Sequence, residues 1–107
     1  MTTSNLSPKL SIEELKKRAC ETIDKRKKEI IGLAQQVLAN PEAGFREVKT
    51  AQLVAQKFQE LGIQHQGGLA LTGLKGRIPG GAGSGPTVAV IGELDSLVVT
   101  DHPHADP

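Results

Sequence analysis

The first third of the chain has the hydrophobic spacing of an amphipathic helix. Ser11 and Glu14 form a capping-box pattern at its start. The dipeptide Asn40-Pro41 ends it, because proline disfavours a helical conformation in the residue before it. Between these signals, apolar residues recur every three or four positions, at Ile12, Leu15, Ala19, Ile23, Ile30, Leu33, Ala34 and Val37. The pattern predicts one helix over about residues 12–39.

A second helix is predicted over about residues 46–61, where the same apolar spacing returns. Gly62 follows it at the position typical of a left-handed C-terminal cap. Beyond this point the pattern becomes that of strands. Leu74–Ile78 alternates apolar and polar residues, as a half-exposed strand does, whereas Thr87–Ile91 is a continuous β-rich run, typical of a strand buried on both faces.

These elements predict the α/β fold class, with two helices followed by two or three strands. A strand buried on both faces needs covering layers and neighbouring strands, and two helices are too few to provide them. Residues 1–10 are predicted to be a flexible lead-in. Residues 11–107 are predicted to be part of a domain that is incomplete at its C-terminal end.

Composition narrows the classes of function. The net charge is +1, which gives no case for a polyanionic partner. Four of the seven basic residues on the first helix, Lys17, Arg18, Lys25 and Lys28, follow an acid by four positions, a spacing that stabilises a solvated helix. We therefore expect no nucleic acid. Cys20, the single cysteine, is expected to be buried and excludes an internal disulfide. Because no apolar run reaches the length of a signal peptide or a membrane span, we expect a cytoplasmic protein without membrane contact.

The last fifteen residues carry the candidate chemistry. Glu93 and Asp95 follow the predicted buried strand and would point the same way while extended. His102 and His104 come next, and imidazole with carboxylate is a donor set that zinc accepts. An ordinary polar loop is the alternative. The glycine-rich residues 80–85 do not form a phosphate loop, because a proline and a strand follow them instead of a helix.

Over about residues 28–107, the chain resembles the zinc-dependent amidohydrolases related to aminoacylases, glutamate-releasing carboxypeptidases and plant auxin-conjugate hydrolases. The stretch Leu38–Phe45 with Glu47 is similar to that family's N-P-E-x-G-F-x-E sequence between its first two helices. The order and spacing of further stretches continue the resemblance, at Thr50-Ala51, Leu61–Ile63, Thr72-Gly73, Gly85–Ala89 and Glu93–Leu97.

The resemblance implies the N-terminal portion of a three-layer α/β/α zinc-exopeptidase-like catalytic domain. It implies metal-assisted hydrolysis of amide bonds in N-acyl amino acids or small peptides, with zinc or another divalent metal and a homodimer in the full-length relative. The family's His-x-Asp motif has Glu93 in place of its zinc-ligand histidine, as in the auxin-conjugate branch, where a later Cys-Gly-His segment supplies ligands. Asp95 is the one site residue transferred, with the role of orienting a metal ligand.

The resemblance therefore assigns no metal ligand to this chain, and we expect the isolated chain to be inactive. Two alternatives from other classes stay open. One is a non-enzymatic metal-binding module that uses Asp101, His102, His104 and Asp106. The other is a helical interaction module whose basic face binds a partner.

Overall fold

The computed structural model describes residues 9–105. Most of the predicted lead-in, and Asp106 of the alternative metal site, lie outside the described residues. The chain divides into two compact units with a boundary between Gln35 and Gln36, and each is described by itself.

The first unit is helical. α1 spans Ile12–Lys25, and Arg26 separates it from α2, Lys27–Ala39. The capping box is confirmed, because the Glu14 amide donates to Ser11 Oγ at 3.2 Å and the Ser11 amide donates to Glu14 Oε2 at 3.0 Å. The prediction of one continuous helix is wrong, since the interruption falls within a run of four basic residues. At that point the Arg26 amide is shared between the carbonyls of Thr22 and Ile23.

Both faces of α1 are exposed, including its apolar stripe. The prediction that Cys20 is buried is wrong, because its side chain is exposed. Within the part of the chain that the structure describes, no helix is both long enough and apolar enough to cross a membrane.

The second unit packs one helix on a two-stranded sheet. α3 spans Val48–Glu60, and it contacts both β1, Gln64–Leu69, and β2, Gly73–Arg77. The strands are antiparallel, with an irregularity between Gln66 and Leu69. A Cβ at Gly76 would lie 3.3 Å from the Phe58 ring, so glycine there lets α3 pack close to the sheet.

The end of α3 follows the sequence signal. Gly62 has φ 69°, its amide donates to the Gln59 carbonyl at 3.0 Å, and the Ile63 amide donates to the Phe58 carbonyl at 2.8 Å. These two bonds are those of a Schellman motif, in which a left-handed residue after the helix satisfies its last carbonyl groups. The cap predicted at Gly62 is therefore confirmed.

The observed strands agree only in part with those predicted from the sequence. β2 confirms the half-exposed strand predicted near Leu74–Ile78, whereas β1 was not predicted. The buried strand at Thr87–Ile91 is a wrong prediction, since this segment pairs with no strand in residues 9–105 and Val90 is 97% exposed. A strand needs a neighbour for its backbone hydrogen bonds and a covering layer for its side chains. The described residues form three helices and one two-stranded sheet, on which α3 packs, so the three-layer arrangement is not confirmed.

Candidate functional site

The most buried side chains of the described residues are polar. Glu47 is 7% exposed and Thr50 is 5% exposed, whereas no apolar residue in this part of the chain is fully buried. Both lie at the start of α3, immediately after the turn that contains the Asn-Pro-Glu sequence. Because buried polar groups are costly unless they are hydrogen-bonded, the partners of these two residues explain how this burial is tolerated.

Glu42 caps α3 from outside the helix. Its carboxylate accepts hydrogen bonds from the Lys49 amide at 3.0 Å, the Thr50 amide at 2.6 Å and Thr50 Oγ1 at 2.8 Å. Glu47, at the N-cap position, makes no capping bond with its side chain. The free amides in the first turn of a helix favour a negative charge, and the preceding turn brings that charge to them from Glu42.

Glu47 joins α3 to the connection between the two strands. Its Oε2 accepts a hydrogen bond from Thr72 Oγ1 at 2.6 Å. The backbone is strained on both sides of this bond, because Phe45, Ala70 and Leu71 have φ values of 63°, 46° and 79°. Such left-handed conformations of non-glycine residues cost about 1–3 kcal/mol each and persist where the surrounding structure imposes them. The Glu47–Thr72 bond connects the two strained loops.

Both carboxylates favour their ionised form. Partial burial raises the pKa of Glu42, but the hydrogen bonds from Lys49 and Thr50 and the nearby Lys49 charge outweigh it, so the pKa lies below its usual value. For Glu47, the Thr72 hydroxyl is the largest cause of a lowered pKa. Its own amide and that of Phe45 act in the same direction, while burial and the charge of Glu42 oppose them.

The C-terminal segment docks on the same turn. The Ser96 amide donates to the Glu42 carbonyl oxygen at 2.8 Å, so the side chain of Glu42 holds α3 while its main chain holds Ser96. The neighbouring Asp95 is exposed and lines an open hollow of about 370 Å³. The other walls of the hollow include Phe45, Glu47, Leu69, Thr72 and Leu94. We call the interlocked residues 41–50, 70–73 and 94–96 the polar corner.

The structure separates the other candidate residues from the polar corner. Glu93 is exposed and does not line the hollow. His102 and His104 lie in an exposed turn, with ring centroids 5.8 Å apart, and His102 Nδ1 accepts a hydrogen bond from the His104 amide at 3.1 Å. Within residues 9–105, no three side chains of His, Cys, Asp or Glu converge on a point where a metal ion could bind. The described donor groups therefore do not fit the zinc site of the resembled family.

Sequence reasoning recognised most residues of the polar corner but missed what they do. Glu42, Glu47, Thr50 and Thr72 appeared there only as marks of resemblance, without a structural role. One signal was available for the capping role. Glu42 follows Asn40-Pro41 directly and precedes the start of a predicted helix. The turn between them allows its carboxylate to fold back onto the amides of Lys49 and Thr50, seven and eight residues later.

Comparison with known proteins gives a consistent group of relatives. The chain is 31% identical over 72 residues to the Arabidopsis thaliana IAA-amino acid hydrolase ILR1-like 5, which covers 67% of this chain and 16% of the relative. It is 36% identical over 73 residues to thermostable carboxypeptidase 2 of Saccharolobus solfataricus, covering 67% and 18% of the two chains. It is 29% identical over 92 residues to YhaA of Bacillus subtilis, whose name assigns it provisionally to the amidohydrolases, covering 86% and 23%.

The chain thus spans less than a quarter of the length of these relatives. No family profile matches the chain. No solved structure matches it either.

Proposed function

Because the chain is a relative of the amidohydrolases and metallopeptidases, we propose that it contributes part of an active site that hydrolyses amide bonds in N-acyl amino acids or small peptides. One observation carries the proposal. Two of the stretches that carry the family resemblance, at Glu42 and at Asp95–Ser96, are distant in sequence, yet a hydrogen bond from the Ser96 amide to the Glu42 carbonyl joins them.

In this proposal the polar corner is a rigid support for Asp95. The carboxylate of Glu42 fixes the turn to α3, and the Glu42 carbonyl fixes the segment that carries Asp95. Asp95 then lines the same hollow as Glu47 and Thr72. A functional side chain has to be held within a fraction of an ångström of its working position, and hydrogen bonds of 2.6–2.8 Å on both sides of this turn supply that constraint.

A divalent metal, zinc by preference, is the proposed cofactor of the complete site, and a small N-acyl amino acid or peptide is the proposed substrate. Residues 9–105 do not assemble a set of ligands, so we assign them no step in the reaction that passes through the metal. We further propose that the 107-residue chain alone does not turn over substrate, that it binds neither nucleic acid nor membrane, and that it acts in the cytoplasm.

A chimera tests the hydrolase proposal. Residues 28–107 of this chain, which carry the family resemblance and include Asp95, replace the corresponding region of the plant IAA-amino acid hydrolase, and hydrolysis of an IAA-amino acid conjugate is measured. We expect measurable activity, and we expect Asp95→Ala to lower it at least about tenfold, as the loss of a residue that orients a metal ligand commonly does.

The matched control is Glu60→Ala, which removes another carboxylate at the distant end of α3 and is expected to leave the activity of the chimera unchanged. A folded chimera that hydrolyses nothing, or one in which the two variants behave alike, would contradict the assignment of Asp95. Inactivity of the chain alone is tested separately by adding zinc, cobalt or manganese to the purified protein with N-acyl amino acids and dipeptides. Reproducible turnover there would contradict that part of the proposal.

One observation favours a second candidate, a helical interaction module. Ile12, Leu15 and Ile23 form one stripe along α1, and they are 69%, 51% and 58% exposed. Such a stripe on a protein surface is typical of a contact site. If this were the function of the chain, Ile23→Asp would abolish partner binding, and Asp95→Ala would have no effect on any activity.

A further inference from the structure

Glu47 is a buried side chain of the polar corner whose partners lie in two separate loops. Its Oε2 accepts a hydrogen bond from Thr72 Oγ1 at 2.6 Å, in the connection between β1 and β2. The amide of Phe45, in the turn before α3, also interacts favourably with the Glu47 carboxylate. A single carboxylate, on a residue that is 7% exposed, therefore holds both loops.

Both loops contain residues in a backbone conformation that non-glycine residues rarely adopt. Phe45 has φ 63°, and Ala70 and Leu71 have φ 46° and 79°. Such conformations persist only where the surrounding structure imposes them. Because the partners of Glu47 are Phe45 itself and the residue directly after Leu71, its carboxylate supplies part of that constraint on each side.

The same two loops border the hollow that Asp95 lines. Phe45 contributes from the first loop, Ala70 and Thr72 contribute from the second, and the volume of the hollow is about 370 Å³. Asp95 itself is exposed. A change in the separation of the two loops would therefore change the space around the carboxylate of Asp95.

We propose that Glu47, through the hydroxyl of Thr72, is a positioning residue that fixes the hollow around Asp95. This inference rests on the proposed hydrolase function, in which Asp95 orients a metal ligand. It gives Glu47 a role in that reaction without any contact with the substrate or the metal.

A general base is the other role open to a buried carboxylate beside a proposed active site. A general base works best when its pKa lies near the working pH. The Thr72 hydroxyl holds the pKa of Glu47 below its ordinary value of 4.5, which is a poor match to neutral solution. The same bond that fixes the loop thus makes Glu47 a weak acceptor for a substrate proton.

The test uses the chimera described above, with Asp95 either present or replaced by alanine. Thr72→Val removes the hydroxyl and keeps the shape of the side chain. We expect it to lower kcat about two- to tenfold, the range that one hydrogen bond contributes, with KM unchanged. Thr72→Ser keeps the hydroxyl and should retain the activity. In the Asp95→Ala chimera, Thr72→Val should have no further effect, because a residue that acts through Asp95 then has nothing to position.

Thr87→Val is the matched control, since Thr87 is an exposed threonine of the same unit that does not line the hollow. It should leave kcat unchanged. The acid limb of kcat/KM separates positioning from base catalysis. If Glu47 were the base, Thr72→Val would raise its pKa and move the acid limb to higher pH, because the Thr72 hydroxyl is the largest cause of the lowered pKa. We expect the rate to fall while the acid limb stays in place.

A second measurement needs no activity. In the 107-residue chain at neutral pH, NMR records the ¹³C chemical shift of the Asp95 carboxylate and the amide signal of Phe45. We expect Thr72→Val to shift both, and we expect Thr72→Ser and Thr87→Val to leave both as in the wild type. Circular dichroism checks that the helices of each variant are intact.

The outcomes distinguish this inference from the hydrolase proposal. If Asp95→Ala lowers the activity and Thr72→Val does not, the hydrolase proposal stands and the role of Glu47 is wrong. A loss from Thr72→Val that is equally large with and without Asp95 is a general structural effect and also overturns the inference. If the chimera is inactive, the hydrolase proposal fails by itself, and the Asp95 signal of the 107-residue chain decides. A signal that Thr72→Val leaves unchanged would show that Glu47 does not position Asp95, whereas a shifted signal supports it.

Discussion

The polar corner and the segment Thr87–Ile91 lie in the same unit and reverse the usual roles of polar and apolar residues. In the corner, a glutamate and a threonine are the most buried side chains, and both are hydrogen-bonded, Thr50 to Glu42 and Glu47 to Thr72. In the segment, valine and isoleucine are almost fully exposed and pair with nothing in residues 9–105.

The difference shows which interactions hold this unit together. Apolar burial needs many neighbouring residues, and residues 36–105 provide a single helix against a two-stranded sheet. Charge-assisted hydrogen bonds need only two well-placed groups and are among the stronger local interactions. The corner is therefore ordered by a few carboxylates, while a segment that requires a large core to bury it stays exposed. Four measurements can break or sharpen this comparison.

The largest effect is expected from Glu42→Ala, because it removes all three hydrogen bonds to the start of α3. We expect a lower thermal midpoint, and faster hydrogen exchange at the amides of Lys49, Thr50 and Ser96. Glu93→Ala is the control, since it removes an exposed carboxylate outside the corner. Equal effects of the two variants would mean that the corner does not hold the unit together.

Acid should weaken the corner in a smaller, graded way, since a protonated carboxyl can still accept a hydrogen bond. The pKa values of Glu42 and Glu47 are lowered from the ordinary value of 4.5 in the folded chain. The unfolded chain therefore binds more protons in this range, and the stabilisation from these groups is complete above pH 4.5. It is lost as the pH falls below that value, through the lowered pKa values.

Thermal midpoints measured from neutral pH down to about pH 3 give this dependence. We expect the double variant Glu42→Gln with Glu47→Gln to be less stable at neutral pH and to show a flatter acid limb. A variant curve parallel to that of the wild type would assign the acid sensitivity to other carboxylates.

Gly62→Ala should cost about 1 kcal/mol, because alanine is strained at φ 69° in the cap of α3. Gly44→Ala is the matched control within the same unit. A Cβ there meets no atom within 4 Å, and the φ of Gly44 is not in the left-handed region. Denaturant unfolding of both variants measures the difference. If both variants lose the same unfolding free energy, the left-handed conformation of Gly62 in the cap makes no specific contribution to stability.

The smallest effect is expected from Val90→Lys on the stability of the monomer. A side chain that is 97% exposed loses no packing when it is replaced, so the change should stay within about 0.5 kcal/mol. The measurement is chemical unfolding at a concentration too low for association. A loss of several kcal/mol would show that Val90 is buried in solution, as the sequence pattern predicted, and the contrast with the polar corner would disappear.

The parts of the fold that could be predicted depend on contacts between near neighbours. The bond between Ser11 and Glu14, the end of helix near Asn40 and the left-handed Gly62 are all decided within about four residues. The family relationship was also available from the order of short stretches, and the comparisons bear it out. The strand β1 was not predictable, because Gln64-His65-Gln66-Gly67-Gly68 lacks any alternation of apolar and polar residues.

The candidate site divides in the same way. Asp95 was chosen from its place in a motif, and its role stays a prediction. That Glu42 would hold both α3 and Ser96, and that Thr72 would hold Glu47, required the folded chain, since these bonds join residues up to 54 positions apart. The prediction of a buried strand at Thr87–Ile91 failed for a related reason. Whether a segment is buried depends on the residues that pack around it in the folded chain, and its own sequence does not specify them.

By itself, therefore, the sequence determined the capping box that starts α1, the end of the helix near Asn40, the cap at Gly62, the relatives of this chain and the uncharged character of residues 78–92. Only the tertiary structure decided which carboxylate caps α3, where the segment of Asp95 docks and which apolar residues are left exposed. Local signals act between groups that the covalent chain already holds close together. Distant groups meet only when the cost of closing the loop between them is balanced by several contacts formed at once, and in this chain the polar corner provides those contacts.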